Sequence, residues 1–440
     1  MKSYFLLTIL ISTITCGQTL EEKIQQRVTF QETPGIVVGM YDQGKISYYA
    51  FGVADLKAKE PVTSRTLFEI GSITKTFTTS VAALLSLEQK IAFDEKAQTY
   101  LPARIVLPEK NGKSITIGHL ASAHSGLPRM PGNFAPADVN NPYIDYRENE
   151  LTAFLNNCEL NREPGSQYEY SNLGMGLLGY IVSRIEDKPY SKLIHESIAK
   201  PLEMRHTFIS GQVHDKLLAT GYSGSTPVKA WTWEDASVLT GAGGIVSNAE
   251  DMMKFLVAQL NPPSNNLGKA FVITHAPKGD AGKMKIGYGW HIRDESLIWH
   301  NGGTGGFRSF AGFDKTLNKA VVILTNSNTG ADDLGFHLLN EKNELKPLKK
   351  PFTVPFETLQ QYVGMYELTP GFQIEISREE STLFLQATGQ PKVTIYAETD
   401  SKFYLKLVEA QVEFVRNQDG VVEQLILYQN GATLPGKKIR

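Results

Sequence analysis

The order of the strand and helix patterns constrains the fold of this chain more than any other feature of the sequence. A hairpin pattern, two apolar runs separated by a turn, comes first at residues 36–50. Before residue 345, the next strand patterns come at residues 286–325, where short separations favour antiparallel pairing. Helical patterns and proline-broken loops lie between them. This order predicts an α/β (α+β) fold, in which an antiparallel sheet is flanked by helices and a separate helical lobe is inserted.

The pattern changes near residue 345. Residues 346–355 (KPLKKPFTVP) are typical of an interdomain linker. Short alternating strands then recur at regular spacing between residues 372 and 428, which predicts a small all-β barrel or sandwich. We therefore expect a larger domain at 18–345, a linker at 346–355 and a small all-β domain at 356–440.

The N-terminus has the pattern of a secretory signal peptide at residues 1–17. Lys2 precedes the apolar run Tyr4–Ile14, which is too short to span a bilayer and ends in small residues. The expected location is therefore periplasmic or secreted. An outer-membrane lipoprotein anchored through Cys16 is the less favoured alternative, because the residues before Cys16 lack the leucine and small residues usual in lipoprotein signals.

Composition excludes several classes of partner. The net charge is −2 and both signs are interspersed, so we expect no nucleic acid partner, and we expect no transmembrane segment. The nine histidines show no ligand spacing, so we expect no metal, and we expect no cofactor. Gly174–Gly179 fits a dinucleotide fingerprint, but it does not follow a hydrophobic strand. The sequence contains no Gly-x-Ser-x-Gly elbow of an α/β-hydrolase.

Ser72 and Lys75 form the most reactive pair that the sequence offers. They lie three residues apart at the start of an apolar helix, so their side chains share one helix face. A serine hydroxyl needs an adjacent base to become a nucleophile. A lysine can be that base only if burial or a neighbouring cation destabilises its ammonium form. The same spacing recurs at Ser197–Lys200, so the pair alone is a weak signal.

Two further motifs would complete a serine acyl-transfer site. In Tyr170-Ser171-Asn172, the phenol could pass a proton if nearby cations lower its pKa, and the asparagine could donate to a substrate carbonyl. In the stretch from His300 to Gly306, a strand edge without bulky side chains would let a substrate backbone lie alongside. Each motif is weak alone, because Tyr428–Asn430 and His124–Gly126 repeat their forms.

The three motifs together resemble those of the penicillin-recognising serine hydrolases, in the same order along the chain. The chain is most similar to the class C β-lactamase and DD-peptidase branch, in which Tyr-x-Asn holds the second place. The resemblance covers roughly residues 30 to 330. It includes the following further segments: Ile115–Leu120 with His124–Pro128, Pro164-Gly165, Gly241–Asp251 and Tyr288–Trp290. A small β-domain, such as the one expected here, is often appended to these enzymes.

The resemblance implies a role for each motif residue. Ser72 would be the acylated nucleophile, and Lys75 and Tyr170 would share the general acid and base work. Asn172 would orient the substrate amide. The third motif would bind substrate through His300, Asn301, Gly302 and Gly303, with the amides of Ser72 and Gly303 forming the oxyanion hole.

The third motif departs from that of class C β-lactamases, which normally carry Lys-Thr-Gly where this chain has His300-Asn301-Gly302. The resemblance therefore leans toward DD-peptidases, D-aminopeptidases and esterases of the family. We expect an exported serine hydrolase that cleaves an amide or ester bond of a β-lactam, a D-amino-acid peptide or an ester. Its substrate would be a small molecule or a peptide, with cell-wall material among the candidates. The alternative is a non-catalytic penicillin-binding or cell-wall-binding module that is acylated without turnover.

Overall fold

The computed structural model describes residues 18–213, 217–406 and 408–440. The predicted signal peptide at 1–17, including Cys16, lies outside the described residues. The larger domain contains the following strands: β1 (Gly35–Asp42), β2 (Lys45–Gly52), β3 (Phe68–Glu69), β4 (Phe208–Ile209), β5 (Gly221–Ser223), β6 (Thr226–Val228), β7 (Ile245–Ser247), β8 (Gly279–Ala281), β9 (Met284–Ile286), β10 (His291–Arg293), β11 (Leu297–Gly303), β12 (Arg308–Asp314) and β13 (Lys319–Thr325).

The central sheet joins strands from the two ends of this domain, as the order of patterns predicts. Its eight strands run in the order β2-β1-β13-β12-β11-β10-β9-β8, and each neighbouring pair is antiparallel. The first hairpin enters through β1, where Ile36 lies opposite Thr325 of β13. The fold class is therefore confirmed.

Helices cover both faces of this sheet. The helices of the larger domain are α1 (Leu20–Thr29), α2 (Thr74–Leu87), α3 (Ile117–Ala121), α4 (Glu148–Leu155), α5 (Asn172–Glu186), α6 (Tyr190–Ile194), α7 (Ala249–Leu260), α8 (Asn266–His275) and α9 (Asp332–Leu339). One face packs against α1 and α9, and the other packs against α7. Helices α3 to α6 belong to the inserted region. Within the described residues, no helix has both the length and the apolar character needed to cross a bilayer.

Helix α2 lies in the interior, which fixes the residues at its start. Almost all of its side chains are buried, including the polar ones. Phe77 stacks on Phe255 of α7 with ring centroids 4.0 Å apart. Such buried aromatic pairs stabilise a single arrangement of the helices beyond the area they bury.

Two boundaries differ from the sequence patterns. Residues 286–292 are not one strand, because the chain turns between β9 and β10 where Gly289 adopts a φ of +72°. The helical sequence pattern also covers residues 190–198, but the α-helix ends at Ile194 and the chain continues as a π-helical turn over His195–Ala199.

The C-terminal part forms a closed β-barrel, which decides between the two all-β alternatives. It consists of α10 (Phe356–Tyr362), β14 (Gly364–Thr369), β15 (Phe372–Glu379), β16 (Thr382–Ala387), β17 (Val393–Ala397), β18 (Lys402–Tyr404), β19 (Ala410–Arg416), β20 (Val422–Gln429) and β21 (Ala432–Lys438). Its core includes Tyr362 stacked on Phe414. Lys406 links the barrel to the larger domain through an ion pair of 2.8 Å with Glu32. Residues 344–355 are neither helix nor strand. The division into a larger domain at 18–345, a linker at 346–355 and a small domain at 356–440 stays a prediction.

Candidate active site

Ser72 lies in a 3-10 turn, Gly71–Ile73, between β3 and α2. Gly71 adopts a φ of +50°, a left-handed conformation that favours glycine. The turn presents Ser72 at the start of a buried helix, and the serine is partly exposed while its neighbours are buried. The sequence prediction placed Ser72 and Lys75 on one helix face, and the two side chains are in contact at 3.1 Å.

The Lys75 amine is enclosed by three oxygen atoms. Its Nζ lies 3.1 Å from Ser72 Oγ, 2.9 Å from Asn172 Oδ1 and 2.6 Å from the carbonyl oxygen of Ala242. A neutral amine has two N–H donors and one lone pair. Because the two carbonyl-type oxygens can only accept, the lone pair is left for the Ser72 hydroxyl. This geometry suits Lys75 as the base that takes the serine proton.

The electrostatic environment favours that neutral amine. Lys75 is 3% exposed. Burial lowers the pKa of Lys75 well below its usual 10.5, and the nearby Arg129 charge lowers it further. Both conditions that the sequence analysis set for a lysine base, burial and a neighbouring cation, are therefore present around Lys75.

Tyr170 occupies the same cleft as Lys75, but its pKa is shifted in the opposite direction. Its ring centroid is 4.7 Å from Lys75 Nζ, and its hydroxyl interacts with the Ser72 side chain. Burial raises the pKa of Tyr170 above its usual 10, although Arg129 and the Ser72 contact oppose the shift. From the sequence, the proton-passing role of Tyr170 was conditional on cations lowering its pKa. The Arg129 cation does act in that direction, but burial outweighs it and the pKa is raised. A neutral phenol can donate a proton but cannot act as a phenolate base.

The third motif is pressed against the Ser72 turn. An added Cβ on Gly302 would lie 1.9 Å from the carbonyl oxygen of Ile70, and one on Gly71 would lie 2.7 Å from the amide nitrogen of Gly303. Ser309 on β12 donates to the same Ile70 carbonyl at 2.8 Å. Only glycine at these positions permits this approach, which brings the Gly303 amide beside Ser72.

The edge of β11 is open where it meets the cleft. Strand β10 pairs with β11 only as far as Trp299, so residues 300–303 extend past it. His300 is buried, and its Nδ1 lies 2.5 Å from the Asn301 carbonyl oxygen, which can only accept. Nδ1 therefore carries the hydrogen. Burial lowers the pKa of His300 well below 6.5, helped by His291 and Lys75. The imidazole is uncharged at neutral pH.

Asn301 and Gly302 are placed differently from their motif neighbours. The Asn301 side chain donates to Asp332 of α9 at 2.5 Å, on the opposite face of the sheet from His300. The Asn301 side chain is thus turned away from the cleft. Gly302 contributes by having no side chain, which allows the close contact with Ile70. The structure brings Ser72, Lys75, Tyr170, Asn172, His300 and Gly303 together around one cleft.

Sequence reasoning missed several residues of the cleft. The Ala242 carbonyl fixes Lys75, but a backbone oxygen leaves no signature in a sequence. Tyr143 lies beside Asn172 and stacks on Trp233 at 4.0 Å, which gives the cleft an aromatic wall. His291 lies 5.0 Å from His300 between ring centroids, and burial lowers its pKa to about 4. In the described residues, no group of His, Cys, Asp and Glu is suited to hold a metal ion.

Comparison with known proteins agrees with this arrangement. The family model described as Beta-lactamase matches residues 20–343, and that described as Domain of unknown function (DUF3471) matches residues 348–438. The chain belongs to the Beta-lactamase family. It is therefore a serine hydrolase of that family, and its C-terminal barrel coincides with the second match.

Relatives of this Beta-lactamase family chain include a beta-lactamase and a penicillin-binding protein. A "Beta-lactamase" of Pseudomonas fluorescens is 27% identical, covering 71% of this chain and 93% of the relative. "Penicillin-binding protein 4*" of Bacillus subtilis is 24% identical and covers 94% of this chain and 96% of the relative, including the C-terminal part. The solved octameric penicillin-binding protein homologue from Pyrococcus abyssi has the same fold, with a TM-score of 0.65 at 22% identity over 94% of this chain and 99% of that one.

Proposed function

We propose that this serine hydrolase forms an acyl-enzyme on Ser72 and cleaves amide or ester bonds, with esters and D-amino-acid peptides preferred over β-lactams. The observation that carries the proposal is the set of three contacts around Lys75, which leaves its lone pair facing the Ser72 hydroxyl. In the first step Lys75 takes the Ser72 proton while Oγ forms a bond to the substrate carbonyl carbon.

The oxyanion that forms would accept from the backbone amides of Ser72 and Gly303. Removing one such donor typically costs about 3 kcal/mol of transition-state stabilisation. When the intermediate collapses, Tyr170 donates its phenolic proton to the leaving group. Tyr170 then recovers a proton from the Lys75 ammonium, which returns both groups to their neutral forms.

Hydrolysis of the acyl-enzyme repeats these steps with water as the nucleophile. Lys75 takes the proton from water as its oxygen bonds to the acyl carbon. When the bond between Oγ and the acyl carbon breaks, Tyr170 donates its phenolic proton to Oγ and recovers a proton from the Lys75 ammonium. Asn172 would orient the substrate amide, since its Oδ1 is held by Lys75. The edge of β11 at residues 300–303 would pair with the substrate backbone.

The substrate preference rests on the neutral state of His300. In class C β-lactamases a lysine stands at this position, where its charge would bind a substrate carboxylate. An uncharged imidazole would bind that carboxylate more weakly. Export through the predicted signal peptide is part of the proposal, and the N-terminal sequence of protein recovered outside the cytoplasm tests it. A first residue near 18 would support removal of the signal peptide. A lipid-modified Cys16 at the N-terminus would instead mean that the protein is anchored to a membrane as a lipoprotein.

The test of the mechanism compares three proteins on two substrate classes. Wild type, Ser72→Ala and the matched control Ser197→Ala are incubated with a chromogenic ester and with a fluorescent penicillin. We expect ester turnover in wild type and Ser197→Ala and none above background in Ser72→Ala. Stable labelling by penicillin without turnover of any substrate would support the binding module and overturn the hydrolase. A panel of D-amino-acid peptides, short-chain esters and a chromogenic cephalosporin then ranks the substrates.

A further inference from the structure

Arg129 is a cleft residue to which none of the three motifs assigns a role. It follows Gly126-Leu127-Pro128, and its carbonyl oxygen accepts from the backbone N–H of Asn172 at 2.9 Å and of Leu173 at 3.3 Å. The main chain of Arg129 is therefore attached to the start of α5. These bonds involve only backbone atoms, so a substitution of the side chain leaves them in place.

The guanidinium group lies over the catalytic cleft. Its central carbon is 5.0 Å from the centroid of the Tyr170 ring, and the side chain is exposed to solvent. Within the part of the chain that the structure describes, no salt bridge involves Arg129. Burial is the main cause of the shifted pKa values of Lys75, Tyr143, Tyr168 and Tyr170. The Arg129 charge adds to the lowering at Lys75 and opposes the rise at the three tyrosines.

The other side of the cleft does not supply a comparable cation. His300 is uncharged, as is His291 beside it, and Lys75 is buried with its amine already bonded. Arg308 is next to Gly303, but it is only partly exposed, its Nη1 donates to the carbonyl oxygens of Thr304 and Phe307, and the Asp332 carboxylate interacts with its charge. Of the two arginines at the cleft in the described residues, Arg129 is the more exposed, so an anionic group of a substrate would find its partner there.

We propose that Arg129 binds a carboxylate carried by the substrate, so that the preferred substrates are esters or amides with an anionic group close to the bond that is cleaved. This inference rests on the proposed function and names its substrate class. The planar guanidinium presents a fork of donors that matches a carboxylate. Tyr170 would hold the fork in place through its ring face.

The experiment uses two substrate pairs in which only the charge differs. One pair shares an acyl group and has either a thioglycolate leaving group or its methyl ester. The other pair comprises the nitrophenyl esters of glutaric acid, with one free carboxylate, and of pentanoic acid. We compare kcat/KM at neutral pH and low ionic strength for wild type, Arg129→Gln, Arg129→Lys, Arg104→Gln and Ser72→Ala. Arg104 is the matched control, because it belongs to the inserted region and pairs with Glu148 of α4.

We expect Arg129→Gln to lower kcat/KM about tenfold for the charged member of at least one pair, mainly by raising KM. The neutral member should lose much less than the charged one, because its loss reports only the effect of the Arg129 charge on the pKa of Lys75. Arg129→Lys should keep most of the discrimination between the two members, and Arg104→Gln should keep all of it. The pair that responds identifies whether the carboxylate lies on the acyl or the leaving-group side. Added salt should reduce the preference in wild type and not in Arg129→Gln.

Two results would overturn this inference. Equal losses on charged and neutral members in both pairs would mean that Arg129 only supports Tyr170, and no loss in either pair would mean that it has no role. Either result, with Ser72→Ala inactive, leaves the proposed function standing. Activity of Ser72→Ala at the wild-type level, or no hydrolysis of any member by wild type, would instead defeat the proposed function together with the inference.

Discussion

The spacing Ser-x-x-Lys occurs twice in this chain, and the two copies have different surroundings. Lys75 is buried and bonded to three oxygens, one of which belongs to Ser72. Lys200 is exposed, and Ser197 lies in the π-helical turn His195–Ala199 at the end of α6. The comparison shows that the spacing only brings the two side chains to one side of a helix. Burial and the oxygens from α5 and from Ala242 make the amine of the first copy a base.

The largest effect should come from removing the two lysines in turn. Lys75→Met should lower kcat/KM for an ester by about a thousandfold, because no other group in the described residues contacts the Ser72 hydroxyl with a lone pair of comparable basicity. Lys200→Met should retain full activity. Steady-state rates from pH 5 to 10 provide a further check, in which the acid limb of wild type reports a pKa well below 10.5. Equal losses of activity in Lys75→Met and Lys200→Met would contradict the different roles given to the two Ser-x-x-Lys copies.

The Tyr-x-Asn motif offers a second pair of copies. Tyr428 is on β20 of the barrel, and its hydroxyl donates to Glu413 at 2.8 Å, whereas Tyr170 faces Ser72. Tyr170→Phe should lower kcat by a few hundredfold, with a smaller loss for substrates whose leaving group needs no proton. Tyr428→Phe should leave kcat unchanged. A Tyr170→Phe enzyme that cleaves poor and good leaving groups equally well would contradict the assignment of Tyr170 as the proton donor.

Glycine substitutions test whether the close approach of β11 matters for activity. Gly302→Ala would place a Cβ 1.9 Å from the Ile70 carbonyl oxygen, whereas nothing lies within 4 Å of the corresponding position at Gly330. Moving the strand away from Ser72 should cost about a hundredfold in kcat/KM and about 3 kcal/mol in the free energy of unfolding. Gly330→Ala should change neither quantity. Chemical denaturation and ester hydrolysis measure the two effects. Normal activity of Gly302→Ala would show that the contact is dispensable.

The smallest effect concerns the carboxyl group that precedes the Ser72 turn. Glu69 is 3% exposed, and burial raises its pKa to about 7 while the Trp231 amide donates to it at 2.5 Å. The folded state therefore binds this proton more tightly than the unfolded state, and stability falls as the pH rises from 4.5 to about 7. Glu69→Gln should be more stable than wild type at pH 8 by on the order of 2 kcal/mol, with the difference vanishing near pH 4.

Thermal unfolding of both proteins at several pH values measures this difference. A constant difference across the range would mean that Glu69 does not titrate between the two limits. A difference that grows as the pH rises would show that the segment before Ser72 is as tightly packed as its contacts indicate.

The fold and the motifs could be predicted from the sequence where they depend on the pattern of side chains. The hairpin at β1 and β2, helix α7 over Ala249–Leu260 and the alternating strands of the barrel all follow from apolar periodicity. The Ser72–Lys75 contact followed from helix geometry. The break between β9 and β10 was missed because the apolar run continues through it, and only the φ of Gly289 reveals the turn.

Electrostatics and backbone contacts were harder to predict. The direction of the Tyr170 pKa depends on how deeply the ring is buried, which a local pattern does not contain. The orientation of Asn301 depends on strand alternation relative to His300, and its partner Asp332 is distant in sequence. Arg129 had no pattern to mark it, because its position over Tyr170 is fixed by main-chain bonds to α5.

The central claim is that substrate becomes bonded to Ser72, and mass spectrometry of the trapped intermediate tests it most directly. Trypsin cuts after Arg65 and Lys75, so Ser72 is released in peptide 66–75, while Ser197 falls in peptide 193–205 because Pro201 protects the bond after Lys200. After acid quenching during turnover of a slow ester, the account predicts one acyl group on peptide 66–75, absent from Ser72→Ala and retained in Ser197→Ala. An acyl group on peptide 193–205, or turnover by Ser72→Ala at the wild-type rate, would contradict it.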